Sequence, residues 1–334
     1  MIIVAPCPFT EDFTLTPDIE RALEPHTVHI IPDPAEAPDI LSSAEILVTG
    51  FEGQAHDPLA YARAMPRLRW IHTLTAGLGS VASSDLANRD VLITNGAGVF
   101  AVGIAEYAFA SLVMLARGLP EVLLANTSHR WQEHRLGWEL ADKQVGIIGF
   151  GGIGRRLAEL LAGAGIRVWA LARRPETHVP GPAERVLGPP DLSRLLAESD
   201  AIVLCASLNP TTHNLLGPEE FSRFKRGALF VNVSRGALVD ERALAQALRS
   251  GSLGGAIIDV TASEPLAGDS PLWTVPNLWI TPHIAGGTLE GRARSLDRFV
   301  VNLRHFGTGQ LDRMTNVVDL LREISDSDSR PWTR

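Results

Sequence analysis

An apolar run that reads as a β-strand, Val145-Gly146-Ile147-Ile148, leads directly into Gly149-x-Gly151-x-x-Gly154. An apolar helical pattern, Leu157, Leu160 and Leu161, follows at once. This order of strand, glycines and helix leaves few folds open. The first glycine makes a tight turn, the second lets backbone approach a pyrophosphate, and the third lets helix and strand pack closely. The helix N-terminus then faces the anion. A bare glycine triplet of this spacing also occurs in purely structural turns. Here the strand before it and the helix after it favour a dinucleotide site, with Gly149, Gly151 and Gly154 as its cofactor-binding glycines.

The second strand of such a unit, Ile166–Leu171, normally ends in an Asp or Glu about 20 residues beyond the glycines, which holds the ribose 2′-hydroxyl of NAD. This chain reads Ala172-Arg173-Arg174-Pro175 at that place. The acid is absent and two guanidinium groups follow. Arginine accepts a 2′-phosphate through bidentate, charge-assisted hydrogen bonds. Two ordinary surface arginines are the plainer reading. NADP is the expected cofactor, with NAD as the alternative.

Composition narrows the rest. A chain of 334 residues suits two domains, and 45% hydrophobic content is ample for packed cores. The net charge of −8 argues against a nucleic-acid partner. Cys7 and Cys205 are the only cysteines, so neither a disulfide framework nor a CxxC metal site is expected. The start, Met1-Ile2-Ile3-Val4-Ala5-Pro6, lacks the basic opening of a secretory leader and reads as a first strand, so a cytoplasmic location is expected. Val99–Ala116 has the length and apolarity of a membrane span. Glu106 lies inside it, its flanks are not strongly basic, and no second such segment exists. A helix buried inside a protein or an oligomer reads the same way, and that is the expectation. Gly118 and Pro120 suit its C-terminal end.

Alternation along the chain indicates two doubly wound α/β domains. The first series has strands at Ile2–Ala5, Val28–Ile31, Ile46–Thr49, Leu68–Leu74 and Val91–Thr94, a parallel sheet of flavodoxin-like type. The second has strands at Val145–Ile148, Arg167–Leu171, Ala201–Leu204, Leu229–Asn232, Gly255–Asp259 and Leu278–Ile280, a Rossmann-like sheet of about six strands. The Pro- and Gly-rich stretch from His178 to Pro190 reads as a loop, and the tail beyond Ser325 as frayed. A helical pattern around Leu296–Phe306 returns the chain to its first domain. The expected division is 1–97 with 285–334, and 98–284.

Three residues near the ends of later strands carry chemistry. They are Arg235 in NVSRGALVD, Glu264 in DVTASEPL and His283 in TPHIAG. Ligands of open α/β sheets lie outside these strand ends. An arginine, a carboxylate and a histidine there can bind an anion, orient an imidazole and move a proton. Singly, each has a plain alternative: an ion pair, a solvated loop carboxylate, a satisfied loop histidine. Asp240 is an expected N-cap for a helix over Glu241–Arg249, which Gly251 ends.

These stretches, with GFGGIG and the PLW piece at Pro271–Trp273, resemble the D-isomer-specific 2-hydroxyacid dehydrogenase family over most of the chain. The resemblance implies a discontinuous substrate domain, a cofactor domain between its halves, and a homodimer built around the cofactor domain. It implies that Arg235 clamps the substrate's carboxylate and keto oxygen. It makes His283 the acid–base residue and Glu264 the carboxylate that stabilises the charged imidazole. Ala76, Gly77 and Leu78 match the loop whose backbone N–H groups bind the substrate carboxylate. Asp259 matches the acid that holds the nicotinamide amide. Gly152 and Ile153 match the backbone at the pyrophosphate, Val233 and Ser234 line the cofactor, and Thr212 and Gly286 are counted with them. Ser207 stands where many members have proline. That departure, with the two arginines, resembles the NADPH-using glyoxylate/hydroxypyruvate reductase branch.

The expected activity is therefore reduction of a small 2-keto acid to its D-2-hydroxy acid. D-lactate, phosphoglycerate or phosphite dehydrogenase activity stays open. So does a nucleotide-sensing corepressor, although such proteins carry a long disordered tail and use NAD. Formate dehydrogenases of the family lack a glutamate at the Glu264 position. Phe51, Glu52 and Trp131 are candidate pocket residues, Trp131 from a partner subunit.

Overall fold

The computed structural model describes residues 1–6, 17–50, 57–78, 81, 83–131, 137–178 and 181–320. Phe51, Glu52, Cys7 and the tail beyond Ser325 lie outside the described residues. The chain divides into two compact units, one from Met1–Phe100 with Gly287–Asp326, the other centred on Ala101–Gly286.

The first unit holds β1 (Ile2–Ala5), β2 (Thr27–Ile30), β3 (Ile46–Thr49), β4 (Trp70–Thr73) and β5 (Leu92–Asn95). All pair in parallel, in the order β2-β1-β3-β4-β5. β3 and β4 are buried at every residue, which suits central parallel strands covered on both faces. β2 is the partly exposed edge. The Leu289–Gly307 helix packs Leu296, Phe299, Val300, Leu303 and Phe306 against Ile3, Ile46, Val48 and Trp70. Thr288 caps it by accepting from the Gly291 N–H at 3.0 Å. The discontinuity is thus made by burial. A late helix carries one apolar face, and the first sheet is where that face is covered.

The second unit holds β6 (Gln144–Ile148), β7 (Arg167–Leu171), β8 (Arg185–Leu187), β9 (Ala201–Leu204), β10 (Ala228–Asn232), β11 (Leu253–Ile258) and β12 (Leu278–Ile280). Its sheet is parallel throughout, in the order β12-β11-β10-β9-β6-β7-β8. Strand order reverses between β6 and β9. The glycine turn follows β6, so it stands at the switch point where open α/β sheets bind ligands.

Two details differ from the sequence reading. The sheet has seven strands, because β8 lies inside the stretch read as a loop. Of its three residues only Val186 and Leu187 are apolar, and flanking Pro and Gly residues mask so short an edge strand. What holds it is tertiary. Its ladder runs along β7, and the Arg185 and Arg194 guanidiniums lie 5.0 and 5.1 Å from the Trp169 ring centre. Second, the long apolar helix is Ala101–Arg117 and ends at Gly118 with φ of 60°, but Pro120 opens the next helix, Leu119–Thr127, rather than ending the first. Proline is at home in a first turn, where its missing N–H costs nothing.

The Ala101–Arg117 helix buries Ala105, Ala108, Leu112 and Ala116 against Leu157, Ala158 and Leu161 of the glycine-motif helix. No single helix among the described residues is long and apolar enough to cross a membrane.

Candidate active site

The glycine turn has the geometry its spacing demands. Gly149 adopts φ of +97°, and a Cβ there would stand 2.5 Å from the Ala206 nitrogen. A Cβ on Gly154 would stand 2.2 Å from the Gly149 carbonyl oxygen. Both positions exclude a side chain. Gly151 differs: nothing lies within 4 Å of a Cβ built on it, and it caps the Gly152–Gly163 helix as an exposed residue. The bare first turn, Gly152-Ile153-Gly154, presents N–H groups that a helix cannot satisfy itself. That open face over a helix N-terminus fits a dinucleotide pyrophosphate.

β7 ends at Leu171, Ala172 is buried, and Arg173 and Arg174 stand half-exposed just beyond. Arg174 caps a 3-10 turn, Pro175–Thr177. After β9 comes the loop with exposed Ser207. Thr212 braces it, donating to the Ser207 carbonyl at 2.8 Å and accepting from the Asn209 N–H at 2.8 Å. Thr212 is only 1% exposed, so it shapes the loop from beneath. Burial pushes the Cys205 thiol up to about 12, which makes it inert as a nucleophile.

β10 delivers Val233, Ser234 and Arg235. Asn232 organises this corner: its Oδ1 accepts from the Ser234 N–H and hydroxyl, both at 3.0 Å, and its Nδ2 donates to the Arg235 carbonyl at 3.3 Å. The Arg235 guanidinium donates to the Ser234 carbonyl at 2.7 Å. Gly236 has no room for a side chain, since a Cβ would fall 1.9 Å from the Thr261 carbonyl carbon. The Arg235 corner is therefore flush against the Thr261–Glu264 loop. Glu241 joins them from its helix, accepting from the Ala262 N–H at 2.7 Å. Asp240 caps that helix, Glu241–Arg249, by accepting from the Arg242 and Ala243 N–H groups.

Glu264 and His283 meet. Glu264 Oε2 lies 2.7 Å from His283 Nδ1, while its Oε1 accepts from the Thr261 N–H at 3.0 Å. An ionised carboxylate only accepts, so Nδ1 carries the hydrogen and Nε2 is the atom left for proton exchange. His283 sits at φ of +56°, a costly conformation for a residue with a side chain.

Asp259 holds it there. This carboxylate is 2% exposed. Oδ1 accepts from the Ile284 N–H at 2.9 Å and the Thr281 hydroxyl at 2.5 Å, and Oδ2 accepts from the Ala285 N–H at 2.8 Å. The His283 N–H donates to the Asp259 carbonyl at 2.8 Å. Gly286 follows directly. Three donors on one buried carboxylate fix the turn that carries the imidazole.

In the other unit, the Asn95 amide donates to the Ala76 carbonyl at 3.1 Å and steadies the loop after β4. No hydrogen bond among the described residues uses the N–H of Ala76, Gly77 or Leu78. Trp131 is 96% exposed within its own chain. No metal-ligand cluster occurs among the described residues.

The match to a known family decides what this constellation belongs to. Residues 109–285 match the family model described as D-isomer specific 2-hydroxyacid dehydrogenase, NAD binding domain. The chain belongs to this family. It is 33% identical to a glyoxylate reductase of Thermococcus litoralis over 74% of this chain and 76% of that one. It is 36% identical to an (S)-sulfolactate dehydrogenase of Chromohalobacter salexigens over 69% of this chain and 74% of that one. Among solved structures it resembles a D-isomer specific 2-hydroxyacid dehydrogenase of Xanthobacter autotrophicus in complex with NADPH and MES, at 28% identity and TM-score 0.75, over 96% of this chain and 99% of that one. The dehydrogenase is an oxidoreductase of small 2-hydroxy or 2-keto acids that uses a nicotinamide cofactor.

Four supporting residues of this dehydrogenase are not singled out by the sequence reading: Asn232 and Thr281, which lie inside the quoted motifs, and Glu241 and Tyr107, which lie outside them. Their signals are faint. Thr281 precedes the Pro-His pair, and Tyr107 is one of only two tyrosines, set in an apolar helix where its hydroxyl needs a partner.

Proposed function

We propose that this dehydrogenase uses NADPH to reduce a small 2-keto acid of the glyoxylate or hydroxypyruvate type to the D-2-hydroxy acid. The observation that carries the reading is the 2.7 Å pair of His283 and Glu264 on the loops after β12 and β11. The nicotinamide, when bound, supplies a hydride to the carbonyl carbon. Protonated His283 gives its Nε2 proton to the carbonyl oxygen, and Glu264 stabilises the imidazolium before transfer. Arg235 binds the carboxylate and steadies charge developing on that oxygen. The N–H groups of Ala76, Gly77 and Leu78 are proposed as donors to a substrate carboxylate.

On the cofactor side, Gly152 and Ile153 bind the pyrophosphate, and Val233 and Ser234 line the nicotinamide half. Ser207 and Gly286 complete the lining, Thr212 supports it by bracing the Ser207 loop, and Asp259 bears on the nicotinamide amide. Arg173 and Arg174 take the adenosine 2′-phosphate. The NADPH bound in the Xanthobacter structure supports this choice.

The test is steady-state kinetics with glyoxylate, hydroxypyruvate, pyruvate and 3-sulfopyruvate, each with NADPH and NADH. Highest kcat/KM for glyoxylate or hydroxypyruvate with NADPH is expected. A preference for sulfopyruvate would move the substrate to the class named for the 36% relative. A preference for NADH would remove Arg173 and Arg174 from the cofactor site.

The assembly is proposed as a homodimer. The Leu119–Thr127 helix exposes Leu119, Leu123 and Leu124, an apolar face that a second copy would cover. Light scattering of the wild type and of a Leu123→Glu, Leu124→Glu double variant tests it: dimer for the first, monomer for the second.

A further inference from the structure

Between the first two glycines of the turn stands Phe150, 6% exposed, with two polar groups on it. The Arg155 guanidinium, from the first turns of the Gly152–Gly163 helix, lies 5.9 Å from its ring centre. The His178 ring lies 5.3 Å away at 52°. Arg155 and His178 also meet directly, Nη2 to Nδ1, at 2.9 Å. Arginine only donates, so Nδ1 accepts and the imidazole is neutral with its hydrogen on Nε2. Burial and the Arg155 charge hold His178 below the ordinary histidine value, which keeps that acceptor in place at neutral pH.

His178 reaches this position because of the turn before it. The Arg174 carbonyl accepts from the Thr177 N–H at 3.2 Å and its hydroxyl at 2.8 Å, and the Pro175 carbonyl accepts from the His178 N–H at 3.1 Å. The chain thus leaves β7 through Arg173 and Arg174, turns once, and returns onto the glycine-motif helix through His178. Arg156 has Glu159 as an ion-pair partner; Arg155 has no carboxylate partner among the described residues. Its acceptor is neutral, so its charge and remaining donors are uncompensated. Glu176, exposed on the same turn, is the carboxylate whose field His178 feels.

We propose that Arg155, braced by His178, is a third guanidinium of the subsite for the adenosine 2′-phosphate, and that this pair helps set the choice of NADPH over NADH. The proposal rests on the NADPH reading above and extends it to two residues outside the strand-end motif. The ligand chemistry is a phosphate monoester dianion, which a planar cation fork binds through charge-assisted hydrogen bonds. Arg155 is the specificity residue; His178 is a positioning residue that acts through it.

The experiment compares wild type with Arg155→Gln, His178→Ala and His178→Asn, since Asn retains an acceptor for the guanidinium. Two readouts are used: calorimetric binding of adenosine 2′,5′-bisphosphate against 5′-AMP, and kcat/KM with NADPH against NADH on one keto acid. Loss of one charge-assisted contact predicts that Arg155→Gln weakens the bisphosphate and NADPH about 10-fold, with 5′-AMP and NADH changed less than about twofold. His178→Ala shows a smaller loss of the same selectivity, about threefold, and His178→Asn restores it. Equal losses for both dinucleotides, or an unchanged ratio in a wild type that prefers NADPH, would overturn the inference. A wild type that prefers NADH would overturn the NADPH reading itself.

Discussion

The Tyr107 hydroxyl lies 2.6 Å from the Thr281 hydroxyl, although the two residues are 174 positions apart in the chain. The direction of that bond follows from the next one. Thr281 donates to Asp259, whose carboxylate only accepts, so Tyr107 donates to Thr281. Burial and the nearby Asp259 charge hold the Tyr107 hydroxyl above its ordinary value and keep it protonated. A helix chosen for its apolar face thereby anchors the turn that carries His283.

Removing the first link should loosen the imidazole without touching substrate. Tyr107→Phe is expected to lower kcat roughly threefold to tenfold, the effect of about 1 kcal/mol of lost hydrogen bonding. Thr281→Val should cost more, because it leaves Asp259 one donor short in a buried place. Cofactor affinity, followed by nucleotide fluorescence, should change less than kcat does. A fall in affinity with unchanged kcat would show that the relay serves the cofactor instead.

His283→Ala should reduce turnover roughly 100-fold or more while cofactor still binds, since positioned acid–base groups contribute about that much. Glu264→Gln removes the charge that favours the imidazolium. Turnover in reduction should then fall while cofactor affinity holds. Unchanged turnover would dissolve the pairing in function, whatever the distance between the two side chains.

Two glycine-to-alanine changes should fail in opposite ways. Gly236→Ala forces a methyl into Thr261 and should cost about 2–3 kcal/mol of stability, with a displaced Arg235 and a raised KM for the keto acid. Gly151→Ala meets no protein atom, so its melting temperature should stay within a degree or two of wild type. Its cofactor affinity should fall, because the added methyl occupies the face left to the pyrophosphate. Urea denaturation and nucleotide titration of both variants check this. Normal cofactor binding by Gly151→Ala would move the pyrophosphate elsewhere.

His72 makes the first unit acid-sensitive. It is fully buried on β4 among Trp70 and Phe299, its Nδ1 meets the Thr94 hydroxyl at 2.6 Å, and its Nε2 has no partner. Burial, with Arg298 adding to it, lowers its pKa from 6.5 to about 3. A depressed histidine folds neutral, so stability is fully present above pH 6.5 and is lost as pH falls from 6.5 toward 3. The slope is about 1.4 kcal/mol per pH unit, or roughly 2–3 kcal/mol by pH 4.5. Denaturant unfolding at pH 7 and 4.5 should show that loss in wild type and a smaller one in His72→Gln. Equal losses in both proteins would acquit His72.

What the chain declares by itself is local and periodic. The run from Val145 to Gly154 reads as strand, turn and helix, since each glycine has a backbone reason that no other residue meets. Strand alternation gives two parallel sheets, because a parallel strand must be apolar on both faces. The helix Glu241–Arg249 is legible from its cap Asp240 to its stop at Gly251. Arg235, Glu264 and His283 stand out because charged residues cluster after strands, where parallel sheets open. Tertiary structure alone decides the rest. β8 exists because β7 offers it a ladder and Trp169 offers Arg185 a face. Asp259 reads as a cofactor acid by motif; that its oxygens also accept from Thr281, Ile284 and Ala285, and so hold His283 in a left-handed turn, is visible only in the fold. Tyr107, Arg155 and His178 belong to no motif. Their meaning lies in partners 174 and 23 residues away. A hydrogen bond acts over about 3 Å, and only folding determines which distant residues come that close.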